Sequence, residues 1–120
     1  MALSSSRVQV AVVNGTGYGG VEILRLLRRH PIFEVAEITA RSEAGQRIGD
    51  VFPHLGHMER TFGKDVTQAE LVFVALPDDA AVERVPEYLR AGRRVVDLSA
   101  GFRLRDRALY PRWYGYEHPA

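Results

Sequence analysis

Gly15, Gly17 and Gly20 stand at the G-x-G-x-x-G spacing within Asn14-Gly15-Thr16-Gly17-Tyr18-Gly19-Gly20. At this spacing glycines let a backbone wrap the pyrophosphate of a dinucleotide. Gly15 would turn the chain out of a strand. Gly17 would let the backbone approach the phosphates, and Gly20 would let a helix begin close against that strand. The phosphates would meet N–H groups that the first helical turn leaves without partners. Residues Gly15, Thr16, Gly17, Tyr18, Gly19 and Gly20 therefore form a candidate phosphate loop. The competing use of the same glycines is a purely structural turn.

Other residue types with chemical potential are scattered along the chain. Arg41-Ser42 follows a second strand, where an NAD site places an acid for the ribose hydroxyls and an NADP site offers cationic and hydroxyl donors to a 2′-phosphate. Glu37 lies about twenty residues past the glycines, but the strand pattern puts it mid-strand, so the pair points to NADP; otherwise Arg41 is a solvated loop residue. Ser99 and Arg103 follow another strand and are candidates for cofactor or substrate contact, or else a turn residue and a surface cation. The neighbours Asp78 and Asp79 could be an acid–base pair, but adjacent side chains seldom converge on one atom, so helix capping is expected of them. His54 and His57 stand three apart, yet no Cys is available and no acid lies at ligand spacing, so turn or packing roles are expected.

The elements that must position these groups are legible. Val8–Val13 is a continuous β-branched run, as in a parallel strand covered on both faces. Tyr18 to Arg29 reads as a helix with Val21, Ile23, Leu24, Leu26 and Leu27 as its buried stripe, ended by His30-Pro31. Phe33 to Ala40 alternates apolar and polar as a second strand, parallel to the first through a right-handed crossover. Between Ser42 and Lys64, a short helix is expected over 46–52 and a short edge strand at Thr61-Phe62. Glu70 to Leu76 is a third strand ended by Pro77. Val82, Val85 and Leu89 then share a helical face, and Pro86 is expected to break that helix in two, with Gly92 closing the second piece. Arg94 to Leu98 is the last strand. The aromatic, arginine-bearing tail from Leu104 to Ala120 reads as a segment that docks on another domain. The fold class is α/β, a Rossmann-like doubly wound, mostly parallel sheet with helices on both faces, and residues 1–120 form one NAD(P)-binding domain.

Composition narrows the function classes. Lys plus Arg is 16 against 15 for Asp plus Glu. That balance gives no reason to expect a nucleic-acid or membrane partner. No apolar run approaches the roughly 18 residues of a membrane span, and the N-terminus lacks a signal-peptide core, so a cytoplasmic location is expected. With 0 Cys, neither a disulfide nor a thiolate nucleophile can form within the chain.

Four stretches together resemble the N-terminal part of the N-acetyl-γ-glutamyl-phosphate reductases, NADP-dependent enzymes of arginine biosynthesis. They are Thr16-Gly17-Tyr18-Gly19-Gly20-Val21-Glu22; Phe52-Pro53-His54-Leu55; Leu71 to Pro77; and Asp97-Leu98-Ser99-Ala100-Gly101-Phe102-Arg103-Leu104 with Tyr110 and Trp113-Tyr114-Gly115. Four residues at three places depart from the family pattern. Asn14 replaces the first turn glycine, Asp78-Asp79 replaces a His-Gly, and Gly101 replaces an Asp. The resemblance implies an enzyme that reduces a small-molecule acyl phosphate through a cysteine thioester. That cysteine and an assisting histidine would lie in a catalytic domain of a longer parent, a homo-oligomer, with this chain as its cofactor-binding part. Arg41 and Ser42 would hold the 2′-phosphate, while Leu76, Pro77 and Ser99 would border the nicotinamide. Two alternatives stay open: a reductase of carrier-protein-linked aminoadipyl phosphate in lysine biosynthesis, which Tyr114 to Pro119 also resembles, and a stand-alone NADP-binding module. The aspartate-semialdehyde dehydrogenases share the chemistry, but their motifs match less well.

Overall fold

A run of branched apolar residues with no polar face can be stable as a strand only if both faces are covered. Val8–Val13 (β1) meets that condition in the computed structural model, which describes residues 7–53 and 60–119. The sheet order is β2-β1-β3-β4, with β2 at Phe33–Ile38, β3 at Leu71–Val74 and β4 at Arg94–Asp97, all pairings parallel. The order reverses direction at β1, so the carboxyl ends of β1 and β3 flank a switch point, where open α/β sheets bind ligands.

The two faces of β1 feed two cores. Val10 and Val12 pack with Leu24 and Leu27 of helix α1 (Tyr18–Leu27) and with Val35 and Ile38 of β2. Ala11 and Val13 pack with Val72 and Val74 of β3 and with Ala81 and Val85 of helix α3 (Asp78–Arg90). Helices thus cover both faces, as a doubly wound sheet requires. The buried stripe of α1 is narrower than the sequence pattern suggests. Gly20, Leu24 and Leu27 are buried, whereas Leu26 is 61% exposed. A single helix against a flat sheet covers only the residues at i, i+4 and i+7.

The alternation of β2 conceals a bulge. Val10 pairs with Val35, but Ala11 pairs with Glu37, so Ala36 is an extra residue. This shift returns Ile38 to the face of Val35 and turns Glu37 toward 67–69. There its carboxylate accepts the N–H groups of Thr67 (2.8 Å), Gln68 (3.2 Å) and Ala69 (3.0 Å) and the Thr67 hydroxyl. Burial pushes the Glu37 carboxyl up, and those hydrogen bonds more than offset it, leaving it below its ordinary 4.5. A carboxyl lowered on folding stabilises the fold fully above its unfolded-state value, and that contribution fades as pH falls through the folded value. Glu37→Gln is therefore expected to lose about 1–2 kcal/mol at pH 7. In urea melts the deficit should shrink as pH drops below about 4. A deficit unchanged across that range would show that the charge contributes nothing.

Residues 42–53 and 60–64 hold more order than a loop. A single turn of helix, α2, spans Ile48–Val51. The expected strand at Thr61-Phe62 is instead a pair of isolated bridges, Arg47 with Thr61 and Thr39 with Gly63. They lay Phe62, 2% exposed, and Ile48 onto the α1 side of the core. Too few residues run parallel to β2 to make a ladder. His54 and His57 fall outside the described residues.

Two expectations about the body of α3 are corrected. Pro86 does not break α3, which is one helix from Asp78 to Arg90. Proline removes one hydrogen bond and costs roughly 3 kcal/mol in a helix interior. Packing of Ala81 and Val85 before Pro86 and of Tyr88 after it onto one core holds the helix together, since packing rather than propensity dominates helix stability. Its buried face runs through Ala81, Val85 and Tyr88, with Leu89 55% exposed. Gly92, at φ 82, closes the helix in a Schellman arrangement. Its N–H bonds Leu89, and the Arg93 N–H bonds Tyr88. The tail is not wholly surface. A turn of 3-10 helix at Arg107–Leu109 leads into helix α4, Tyr110–Tyr114, and Tyr110 is 1% exposed. No described helix is long and apolar enough to cross a membrane.

Candidate functional site

The chain leaves β1 through Asn14, whose φ of 65 is left-handed. Asn tolerates this region better than most residues, and glycine is the usual choice. The sharp turn is therefore made at Asn14 and not at Gly15. Asn14 stays there because it is held on several sides. Its N–H donates to Thr39 Oγ1 (3.3 Å), its side-chain amide donates to Ala75 O (3.0 Å), and its carbonyl accepts from Gly17 N–H (3.2 Å). The loop is tied to the ends of both neighbouring strands.

Each glycine has a different physical reason. A Cβ on Gly15 would lie 2.5 Å from Ile38 Cγ2, so Gly15 is needed for close packing on β2. A Cβ on Gly20 would lie 2.3 Å from Asn14 O and 2.8 Å from Gly15 Cα, so the first turn of α1 rests directly on the loop backbone. Gly17 is different. A Cβ there meets only Asn14, at 3.3 Å from its side-chain amide nitrogen, so internal packing makes a weak demand for glycine. Gly17 is the N-cap of α1, with no side chain capping the helix. The first-turn N–H groups of Tyr18, Gly19 and Gly20 have no carbonyl four residues back within α1. An uncapped ten-residue helix with a bare backbone at its start fits a dinucleotide pyrophosphate. Thr16 Oγ1 leans on Asn14 Oδ1 (3.4 Å), Gly19 approaches Ala75, and the Tyr18 side chain is fully exposed.

Beside this loop a cleft of about 270 Å³ opens at the carboxyl ends of β1, β2 and β3. Asn14, Arg41, Lys64, Leu76, Arg84 and Tyr88 are among the residues lining it. Arg41 is exposed, and among the described residues no carboxylate pairs with it. Ser42 does not line the cleft; its hydroxyl donates to Glu43 (2.8 Å). Lys64 and Arg84 are cations that sequence reasoning missed. Lys64 arrives through the Gly63 bridge to Thr39 and Arg84 through α3, where it pairs with Asp65 at 3.5 Å. Neither carries a local signal. Glu37, the acid at NAD-like spacing, is occupied by 67–69.

Pro77 is the N-cap of α3, and Ser99 stands one strand over, past the end of β4. Ser99 N–H donates to Asp97 Oδ1 (2.9 Å), and its hydroxyl accepts from Gly101 N–H (3.1 Å). Arg103 folds back onto the same loop, donating to Ser99 O at 3.0 Å. The structure thus gathers Asn14, Leu76 and Arg41 around one cleft, with the glycine loop continuing from Asn14 and Ser99 at the next strand end. Neither Asp78 nor Asp79 caps α3, contrary to the capping expected of them, because the Asp78 carboxylate is bonded elsewhere, to Ala100 and Tyr116. No group of three or more His, Cys, Asp or Glu that could hold a metal occurs among the described residues.

Comparison with known proteins gives this geometry a context. Residues 9–113 match the family model described as semialdehyde dehydrogenase, NAD binding domain. An N-acetyl-gamma-glutamyl-phosphate reductase of Cellvibrio japonicus is 47% identical over 94% of this chain, and one of Dehalococcoides mccartyi is 42% identical over 94%. The chain spans about a third of these relatives' length, 34% and 33%. Among solved structures, an aspartate semialdehyde dehydrogenase with NADP from Candida albicans superposes with a TM-score of 0.74 at 23% identity, over 85% of this chain and 32% of that one. A probable aspartate-semialdehyde dehydrogenase from Pseudomonas aeruginosa gives 0.63 at 27% identity, over 80% and 29%.

Proposed function

This chain belongs to the semialdehyde dehydrogenase family through its NAD-binding domain, and from that premise we propose that it is the NADP(H)-holding part of an N-acetyl-γ-glutamyl-phosphate reductase. The identity of 40–47% to reductases of that name, over nearly the whole chain, is the observation that carries the reading. The parent enzyme would convert N-acetyl-γ-glutamyl phosphate to N-acetylglutamate semialdehyde, in the biosynthesis of arginine.

When bound, the cofactor supplies a hydride for the acyl group. This chain contains 0 Cys, so its part in the reaction is binding and orientation. The backbone from Gly15 to Gly20 would hold the pyrophosphate at the positive end of α1. Arg41 would hold the 2′-phosphate, with Ser42 next to it in the chain, and NADP is favoured over NAD because Glu37, the acid at the ribose-binding spacing, is already engaged by 67–69. Leu76, Pro77 and Ser99 would wall the nicotinamide half. The exposed side chains of Phe102 and Trp113, 47% and 64% exposed, would face the catalytic domain.

The test is made on the parent polypeptide. Incubated with N-acetylglutamate semialdehyde and phosphate, it should reduce NADP⁺, followed as absorbance of the reduced nicotinamide. No phosphate-dependent reduction would overturn the reading, and turnover of only a carrier-linked aminoadipyl substrate would move the enzyme to lysine biosynthesis.

A further inference from the structure

Asp78 is the first residue of α3, just past the N-cap Pro77, and no side chain caps this helix. Its carboxylate reaches across to the loop after β4. Oδ1 accepts the Ala100 N–H at 2.9 Å, and Oδ2 accepts the Tyr116 hydroxyl at 2.9 Å. Each oxygen takes one donor, a demand that an unflipped carboxylate meets with both atoms. The helix dipole favours the negative charge at this position. Burial, and Asp78 beside it, push the Tyr116 hydroxyl up to about 12, so it remains a donor at neutral pH.

The same peptide is gripped from its other side. The Tyr110 hydroxyl donates to Ala100 O at 2.7 Å and accepts from Leu104 N–H at 3.1 Å. The next residue leaves no slack, since a Cβ on Gly101 would lie 2.9 Å from Val82 Cγ2 of α3. Residues 99–101 are therefore pressed onto the first turn of α3 by one ionic hydrogen bond, one buried tyrosine and one close contact. Ser99 rides on that loop, next to the strand end that carries Leu76 and Pro77.

We propose that Asp78 is a positioning residue: its carboxylate clasps the Ala100 peptide and the Tyr116 hydroxyl, and so fixes the loop of Ser99 as the nicotinamide-side wall of the cofactor cleft. This rests on the NADP(H) reading above. The clasp acts on the nicotinamide end, because Arg41 and Lys64 at the adenosine end stand on other elements, and the α3 side chains that reach that cleft, Arg84 and Tyr88, lie six and ten residues beyond Asp78. Its loss should be felt by ligands with a nicotinamide and not by ligands without one.

The experiment compares the parent polypeptide with its Asp78→Ala and Asp78→Asn variants by titration with NADPH and with 2′-phospho-ADP-ribose, which lacks the nicotinamide. Asp78→Ala removes the charged acceptor of both hydrogen bonds and should weaken NADPH roughly tenfold or more. The nicotinamide-free ligand should change by less than about twofold, within ordinary surface-substitution effects. Asp78→Asn keeps an acceptor for Ala100 N–H and turns its amide NH₂ toward the Tyr116 oxygen, so it should recover most of the affinity. Hydrogen exchange at the Ala100 amide should quicken in Asp78→Ala and stay slow in Asp78→Asn. Equal loss of both ligands would make Asp78 merely structural and overturn the proposal, as would unchanged NADPH binding by Asp78→Ala. An unmutated protein that binds neither ligand would overturn the cofactor reading itself and this inference with it.

Discussion

Gly20→Ala is expected to destabilise the protein by about 3 kcal/mol or more, the upper end of what overpacking costs. The added methyl would sit 2.3 Å from Asn14 O and 2.8 Å from Gly15 Cα. Both are backbone atoms, and Asn14 is pinned by Thr39 and Ala75, so neither can step aside cheaply. Relief requires lifting α1 off the sheet, which uncovers Leu24 and Leu27. Gly17→Ala is the contrasting control. Its methyl meets the Asn14 side-chain amide at 3.3 Å and no neighbouring backbone atom closer than 3.6 Å, so stability should fall by less than about 1 kcal/mol. The same methyl would stand where the pyrophosphate approaches, and NADPH affinity should fall by about tenfold or more. Urea midpoints and NADPH titrations on both variants separate the two glycines. If Gly17→Ala retains full affinity, this loop does not carry the phosphates.

Arg41→Ala should remove most of the preference for NADPH over NADH. Loss of a charge-assisted contact to a 2′-phosphate corresponds to roughly a 10–100-fold weaker NADPH affinity, with NADH nearly unchanged because it has no phosphate there. Arg41 lines the cleft at the end of β2 and has no carboxylate partner among the described residues, so no internal ion pair is broken by its removal. Lys64 and Arg84 line the same cleft and set the residual preference. Arg84 is already shared with Asp65, which makes Lys64 the stronger of the two. Equal affinities for NADPH and NADH in the unmutated protein would show that the end of β2 does not select the cofactor.

The parallel sheet, its helices on both faces and the glycine loop were legible in the sequence because they rest on local pattern. Val8–Val13 has no polar face, and Gly15, Gly17 and Gly20 have a fixed spacing. The four motif stretches were legible for the same reason. Features that failed to show depend on partners far away in the chain. The bulge at Ala36 exists because Glu37 has a cradle at 67–69, some thirty residues on. Pro86 looks like a helix breaker until the core that α3 shares with Ala11 and Val13, some seventy residues earlier, is counted.

The clearest division runs through the departures from the family pattern. Read in the sequence, Asn14, Asp78 and Gly101 are unrelated irregularities. In three dimensions Asn14 takes the left-handed turn that a glycine would have taken, and the side-chain amide bonds it to Ala75 in compensation. Asp78 and Gly101 meet across one contact, the first supplying the carboxylate that grips Ala100 and the second leaving room for Val82. The sequence by itself determined the fold class, the family and the candidate phosphate loop, since spacing and hydrophobic period are properties of neighbouring residues. Only the tertiary structure decided which glycine is bound by packing and which is left for a ligand, and which carboxylates are already engaged. Those are questions of who stands within a few ångströms, and for Gly15, Glu37 and Asp78 the residues that answer them, Ile38, Thr67 and Ala100, are more than twenty positions away in the chain.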